Sequence, residues 1–151
     1  MTEACLFCRI ATGDLPCHKL HEDDHVLAFL DLHPVRPGHA LVIPRAHHPW
    51  FEEIPADLAC RVTTLSQRIA RTMKALYGVE RVAMVYTGIH VAHAHAHLVP
   101  MHDIHDITSA AYLTEGPDRF TAPPSPPAET LAATATALRA GLARAGQDPV
   151  G

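Results

Sequence analysis

No apolar run in the 151 residues approaches the roughly 20 that a membrane-spanning helix needs, so no membrane partner is expected. Met1-Thr2-Glu3-Ala4-Cys5 has no basic segment leading into an apolar one, and no secretory leader is expected. Lysine and arginine form no cluster, and 12 of them against 16 acidic residues leave a formal charge of −4 with the histidines neutral. Such a chain is a poor match for the backbone of a nucleic acid polymer, although a single nucleotide needs no basic patch. These absences point to a cytoplasmic protein. The length suits one domain with room for a core.

What the chain has instead is histidine, 13 in all. The densest stretch is His93-Ala94-His95-Ala96-His97-Leu98-Val99-Pro100. Alternation with period two predicts a strand with Val91, His93, His95, His97 and Val99 on one face and Ala92, Ala94, Ala96 and Leu98 on the other. Neighbouring imidazoles would then lie about 6.6 Å apart along the chain, with Pro100 closing the run. The run is internal and flanked by apolar residues, so it is no expression tag. Buried imidazole without a partner is costly, and three on one face call for a chemical role. A metal-binding tract is the rival reading, because His-x-His on a strand can place two rings on one zinc.

Cys5-Leu6-Phe7-Cys8 has three readings: half of a zinc site, a redox pair, or plain thiols. A redox pair is expected beside a βαβ pattern, which is missing here. Cys17 and Cys60 read as small buried apolar residues. Leu6, Phe7 and Ile10 predict a short helix ended at Gly13. Lys19 to Glu22, His25 to Asp31, His39 to Pro44 and Arg81 to Tyr86 read as strands. The second and third of these would pair as a hairpin across the loop His33-Pro34-Val35-Arg36-Pro37-Gly38. Between Pro55 and Gly78, Leu58, Val62, Leu65, Ile69, Met73 and Leu76 recur at three and four residues, an amphipathic helix of about six turns. Thr87 to His90 reads as a tight turn. Beyond Met101 a proline-rich spacer, Ala122 to Pro127, leads to a terminal helix over Ala128 to Ala145 with Leu131, Ala135, Leu138 and Leu142 on one side.

These residues carry a resemblance to the histidine triad (HIT) family of nucleotide-binding hydrolases and transferases. His93, His95, His97, Leu98 and Val99 fit its His-x-His-x-His mark. Cys5 to Ile10 resembles the family's opening segment, and Leu27 to Asp31 with Gly38 to Arg45 resembles its central hairpin. The resemblance spans roughly residues 4 to 107. It implies an α+β fold: a five-stranded antiparallel sheet with a long amphipathic helix and short flanking helices, assembled as a homodimer. Residues 1–107 would be the catalytic domain and 108–151 a C-terminal extension.

The resemblance also implies a chemistry. His95 would attack the α-phosphorus of a purine nucleotide, probed most simply as an AMP-like group, and carry it as a nucleotidyl-histidine until water or another acceptor removes it. His97 would contact the phosphate or leaving group as a protonated donor, and His39 would complete the hydrogen-bonded set. Asp31 would hold the ribose hydroxyls. Leu32, Phe29, Phe7, Leu6 and Ile10 would form the slot for the base, with ordinary core packing as the alternative for each. Zinc would be held by Cys5, Cys8, His93 and either His47 or His48, a closed structural set. One departure stands out: Tyr86 to Ala92 is shorter than the family's segment before the triad and lacks its Asn and Gln donors. Backbone groups near Thr87, Gly88 or His90 are the expected substitutes. A phosphoramidase or dinucleoside polyphosphate hydrolase is thus expected. The alternatives are a metal-dependent hydrolase with a zinc-bound water on His93 and His95, and a nucleotide-binding regulatory protein without turnover.

Overall fold

The computed structural model describes residues 5–88, 90–103, 106–107 and 124–145. Its elements are helix α1 (Leu6–Thr12), strands β1 (Lys19–Glu22), β2 (Val26–Leu30) and β3 (Ala40–Pro44), a 3₁₀ turn (Phe51–Glu53), helix α2 (Ala56–Tyr77), strands β4 (Arg81–Tyr86) and β5 (Ala96–Met101), and helix α3 (Ala128–Ala145). The five strands form one sheet in the order β1-β2-β3-β5-β4, antiparallel throughout. This is the α+β architecture expected. Ala122 and Pro123 of the proline-rich spacer lie outside the described residues, as does Ile89 of the turn before the triad. No helix among the described residues is long and apolar enough to cross a membrane.

The period of two along each strand sorts the core into two layers. Val26, Ala28 and Leu30 of β2, Ala40 and Val42 of β3, and Ala96 and Leu98 of β5 meet Val62, Leu65, Ile69 and Met73 of α2 and Leu131, Ala135, Leu138 and Leu142 of α3. Leu27 and Phe29 of β2 and Leu41 and Ile43 of β3 point the other way, onto Phe7 and Ala11 of α1. β2 and β3 are buried on both faces, which is why both read as unbroken apolar runs rather than as alternation. Helix α3 packs in cis on α2, β1 and β2. Its Arg139 donates Nη1–H to the carbonyl of Lys19 on β1 at 2.6 Å. Leu76 departs from the predicted stripe of α2 and is exposed, as is Cys60.

The histidine strand begins later than its alternation predicts. β5 starts at Ala96 and runs through Pro100 to Met101, so only His97 of the triad is on a strand. The backbone before it is committed elsewhere. The His93 N–H turns back to the Val91 carbonyl at 2.8 Å, and the Ala94 N–H donates to the His48 carbonyl at 2.7 Å. Alternation of a polar with a small residue reports on side-chain direction and carries no information about these backbone partners. Pro100 sits past the last β3–β5 pair, Ala40 with Leu98, where β5 has a single neighbour. Proline is tolerated in sheets at such places.

Arg36-Pro37-Gly38-His39 closes the β2–β3 connection as a turn, with the His39 N–H donating to the Arg36 carbonyl at 3.0 Å. Pro37 occupies the second position, and Gly38 the third with φ of 90°, the pattern of a type II turn. A Cβ on Gly38 would lie 2.5 Å from the Tyr77 hydroxyl oxygen. Gly38→Ala therefore meets both a strained backbone and the Tyr77 ring, a cost of about 1–3 kcal/mol. Thermal unfolding followed by circular dichroism should show Tm lower by about 3–10 °C. In a Tyr77→Ala background the steric share disappears and the backbone share persists.

Candidate functional site

The α1-facing side of the sheet brings the candidate residues together. Phe29 pairs with Leu41 and Leu41 with His97, so one row crosses β2, β3 and β5. Asp31 and His39 extend the first two strands by one residue, joined by Asp31 N–H to the His39 carbonyl at 3.0 Å. His39 and His97 then meet side by side, with ring centroids 5.2 Å apart, and His95 stands 4.8 Å from His97. His39 and His97, 58 residues apart, thus meet because the antiparallel register of β3 and β5 brings them side by side.

Heavy-atom positions around partners of fixed character assign the protons on these rings. The Val35 N–H donates to His39 Nδ1 at 3.2 Å. That nitrogen is the acceptor, so in the neutral ring Nε2 carries the hydrogen. His39 Nε2–H then donates to His97 Nδ1 at 3.0 Å. His97 in turn carries its hydrogen on Nε2, 3.3 Å from Thr87 Oγ1. His95 is set separately: its Nδ1–H donates to the His93 carbonyl at 2.6 Å, leaving a lone pair on Nε2. Phe7 supports that ring edge-on at 5.0 Å.

All three rings are held neutral. Burial pushes His97 down to about 4, reinforced by the neighbouring His95 and His39. Burial also lowers His39, against the pull of Asp31, and lowers His95. Neutral imidazole is the nucleophilic form. The protonated His97 expected from the resemblance is therefore not the resting state. In the free site this ring is a neutral donor through Nε2–H.

Among the described residues, two groups of side chains have the spacing of a metal site: Cys5, Cys8, His47 and His93, and Asp31, His39 and His97. Hydrogen bonding separates them. His93 donates Nε2–H to the Pro44 carbonyl at 2.8 Å, which turns the lone pair of Nδ1 toward the sulfurs of Cys5 and Cys8, each at 3.5 Å. His47 Nδ1 lies 3.3 Å from the Cys8 sulfur. A tetrahedral zinc with ordinary bond lengths needs sulfur and nitrogen ligands about 3.6 Å apart. The first group fits. Burial and the adjacent Cys5 raise the Cys8 thiol to about 11, a cost that a bound cation reverses. In the second group the nitrogen that would face a metal, His39 Nε2, carries a proton because Val35 holds the other. That group is a proton-bearing hydrogen-bond chain.

His47 enters the first group, while His48 contributes its carbonyl to Ala94. Of the five residues expected to line the base slot, Phe7 and Phe29 are buried against each other at 5.7 Å and Ile10 is half-buried beside them. Leu6 and Leu32 are exposed at 47% and 52%. Asp31 accepts the His33 N–H at 2.8 Å and lies 3.7 Å from His39 Nε2. Thr87 touches His97, and Gly88 packs against the ring of Trp50. Sequence reasoning missed the Val35 N–H and Trp50. Backbone donors leave no mark on residue identity, and a lone tryptophan has no spacing.

The HIT domain profile matches residues 12–104. Protein hit of Bacillus subtilis is 35% identical over 123 residues, which cover 77% of this chain and 83% of that protein. An adenosine 5′-monophosphoramidase of Saccharomyces cerevisiae is 36% identical over 101 residues, covering 66% of this chain and 64% of the yeast protein. The crystal structure of a Zn-bound histidine triad family protein from Mycobacterium smegmatis aligns over 93% of this chain and 94% of its own, with a TM-score of 0.73 and 26% identity. The matched span takes in the hairpin, the long helix and all three histidines of the triad, and the chain belongs to the HIT family.

Proposed function

We propose that this chain is a nucleotidyl hydrolase or transferase that moves an AMP-like group through a covalent intermediate on His95. The observation that carries this reading is the bond from His95 Nδ1–H to the His93 carbonyl, which leaves Nε2 as the nucleophile. The lone pair of Nε2 attacks the α-phosphorus, and the bond to the leaving atom breaks with its electrons on that atom. His97 supplies the proton. The His39–His97 pair is neutral when the site is free, so it takes up one proton as the phosphate anion arrives, the His39 Nε2–H bond gives way at His97 Nδ1, and His97 passes its Nε2 hydrogen to the leaving atom. Water or another acceptor then attacks the phosphorus, returns a proton to His97, and frees His95. A phosphoramidate of adenosine, the kind of substrate named for the yeast relative, is the favoured class, with dinucleoside polyphosphates next.

Asp31 holds the ribose hydroxyls in this reading. Leu6 and Leu32 flank the base, with Phe7, Phe29 and Ile10 beneath. Thr87 and the backbone at Gly88 stand in for the missing Asn and Gln. Zinc on Cys5, Cys8, His47 and His93 supplies local structure and takes no part in the reaction. The M. smegmatis relative's bound zinc supports that assignment. A water-activating metal on His93 and His95 has no such support, because among the described residues no candidate cluster contains both. A reducing, cytoplasmic compartment keeps the thiols available for metal. Every site residue falls within 1–107, the proposed catalytic unit. A second copy is proposed along the β4 edge, where Met84 is exposed beside the Phe51–Tyr86 ring pair.

Intact mass after brief mixing with an adenosine phosphoramidate, with product release followed in the same tubes, should show wild type gaining one nucleotidyl group. His95→Ala should gain none and lose about 10³-fold or more in kcat. Binding with turnover absent in wild type would instead favour a regulatory binding protein. Metal analysis should find one zinc per chain, lost in Cys8→Ser, and chelation should lower Tm by about 5 °C or more, the effect of about 2 kcal/mol at this size. The adduct should survive chelation.

The depressed His97 value gives a pH dependence with a definite sign. A non-hydrolysable phosphodiester of adenosine stays ionised across the working range. If its binding raises His97 from about 4, protons are taken up and affinity weakens as pH rises through the bound-state value. Calorimetry in buffers of different ionisation enthalpy measures the uptake. Affinity flat from pH 5 to 8 with no uptake would remove His97 as the acid.

A further inference from the structure

Arg36 and Asp106 are 70 residues apart in sequence, and neither is needed by the reaction written above. Asp106 Oδ1 accepts two bonds from one guanidinium, Arg36 Nε–H at 2.9 Å and Nη2–H at 2.5 Å. Its Oδ2 accepts the N–H groups of His102 and Asp103 at 2.8 and 2.9 Å. The Asp106 side chain is only 7% exposed. Two of these four donors fix the carboxylate to the segment that leaves β5, the strand bearing His97, and the other two tie it to Arg36.

Arg36 is fixed at its other end by the turn. Its carbonyl takes the His39 N–H, and the residue before it, Val35, places its own N–H on His39 Nδ1 at 3.2 Å. The peptide that sets the proton position on His39 therefore belongs to the residues that the guanidinium anchors. His39 passes that choice to His97 through the bond from Nε2–H to Nδ1 at 3.0 Å. A shift in residues 35–36 that released Nδ1 would let the His39 proton sit on either nitrogen. The opposite tautomer faces the His97 acceptor with a lone pair instead of a donor.

We propose that the Arg36–Asp106 pair is a positioning latch, which clamps the exit of β5 to the turn before β3 and thereby fixes which nitrogen of His39, and through it of His97, carries the hydrogen. Arg36 and Asp106 touch neither the nucleophile nor, in the reading above, the nucleotide. They act through the Val35 N–H. The kinetic part rests on the proposed nucleotidyl chemistry, and the tautomer part does not.

The test uses full-length protein with ¹⁵N-labelled histidine, and long-range nitrogen–proton correlation spectra separate the two tautomers of each ring. Wild type should show His39 with an unprotonated Nδ1 and a protonated Nε2. Arg36→Gln and Asp106→Asn should each shift His39 toward a mixture. With an adenosine phosphoramidate they should lower kcat by about tenfold while KM stays within about twofold. Arg36→Lys keeps the charge without the planar fork, retains the fold more securely, and should lie between wild type and Arg36→Gln in both readouts. If the folded variants keep the wild-type His39 signals, the latch is overturned, whatever happens to kcat. If the tautomer shifts but wild type itself turns over no nucleotide, the latch stands and the catalytic reading fails.

Discussion

An imidazole offers two nitrogens, and what one of them is bound to decides what the other can do. In this protein the deciding partners are main-chain groups whose roles cannot be exchanged. The Pro44 carbonyl takes the hydrogen of His93, so its other nitrogen faces the cysteines. The His93 carbonyl takes the hydrogen of His95, so Nε2 is left basic. The Val35 N–H takes the lone pair of His39, so that ring must donate to His97. Four neighbouring histidines thereby acquire different hydrogen-bonding states: a lone pair toward two cysteines on His93, a lone pair on Nε2 of His95, a donor at Nε2 of His39 and an acceptor at Nδ1 of His97. Nothing in their side chains distinguishes them, and the surrounding backbone does.

That arrangement needs the backbone to be stiff where it meets the rings, and the sheet supplies the stiffness. β2 and β3 are buried on both faces, packed below by α2 and α3 and above by α1. The residues that flank the strands of this sheet emerge from a rigid layer into short, hydrogen-bonded connections. The Pro37-Gly38 turn is one, and the segment from Val91 to His95 is another. The second is irregular because its amides bond to the Val91 and His48 carbonyls, and this irregularity lets three successive odd-numbered histidines meet different partners.

Much of this was legible before any coordinates. Helix α2 could be read from its stripe because a long surface helix repeats one decision many times, and it ended at Gly78 as expected. Leu76 escaped the pattern because the buried stripe runs on from Met73 to Tyr77, which packs against the core, and leaves Leu76 beside it. Cys5, Cys8 and His93 were nameable from spacing and resemblance. The choice of His47 over His48 was not, since adjacent residues differ only in direction. The late start of β5 was hidden because His-Ala alternation looks the same whether the amides bond a neighbouring strand or a loop. The meeting of Arg36 and Asp106 was hidden for a different reason. Neither residue has a periodic or motif context, and only the assembled sheet brings them within reach.

Arg139 on the Lys19 carbonyl makes a small contact with a large consequence. An open sheet has two edges, and each is a template for another strand. Here helix α3 lies over β1 and fills one of its carbonyls, so among the described residues the two edges are unequal: one is guarded from within the chain and the other, β4, is not. If the second copy proposed above adds its strand through β4, each outer end of the joined sheet is a guarded β1, and geometry limits that growth to two without any residue devoted to preventing a fibre.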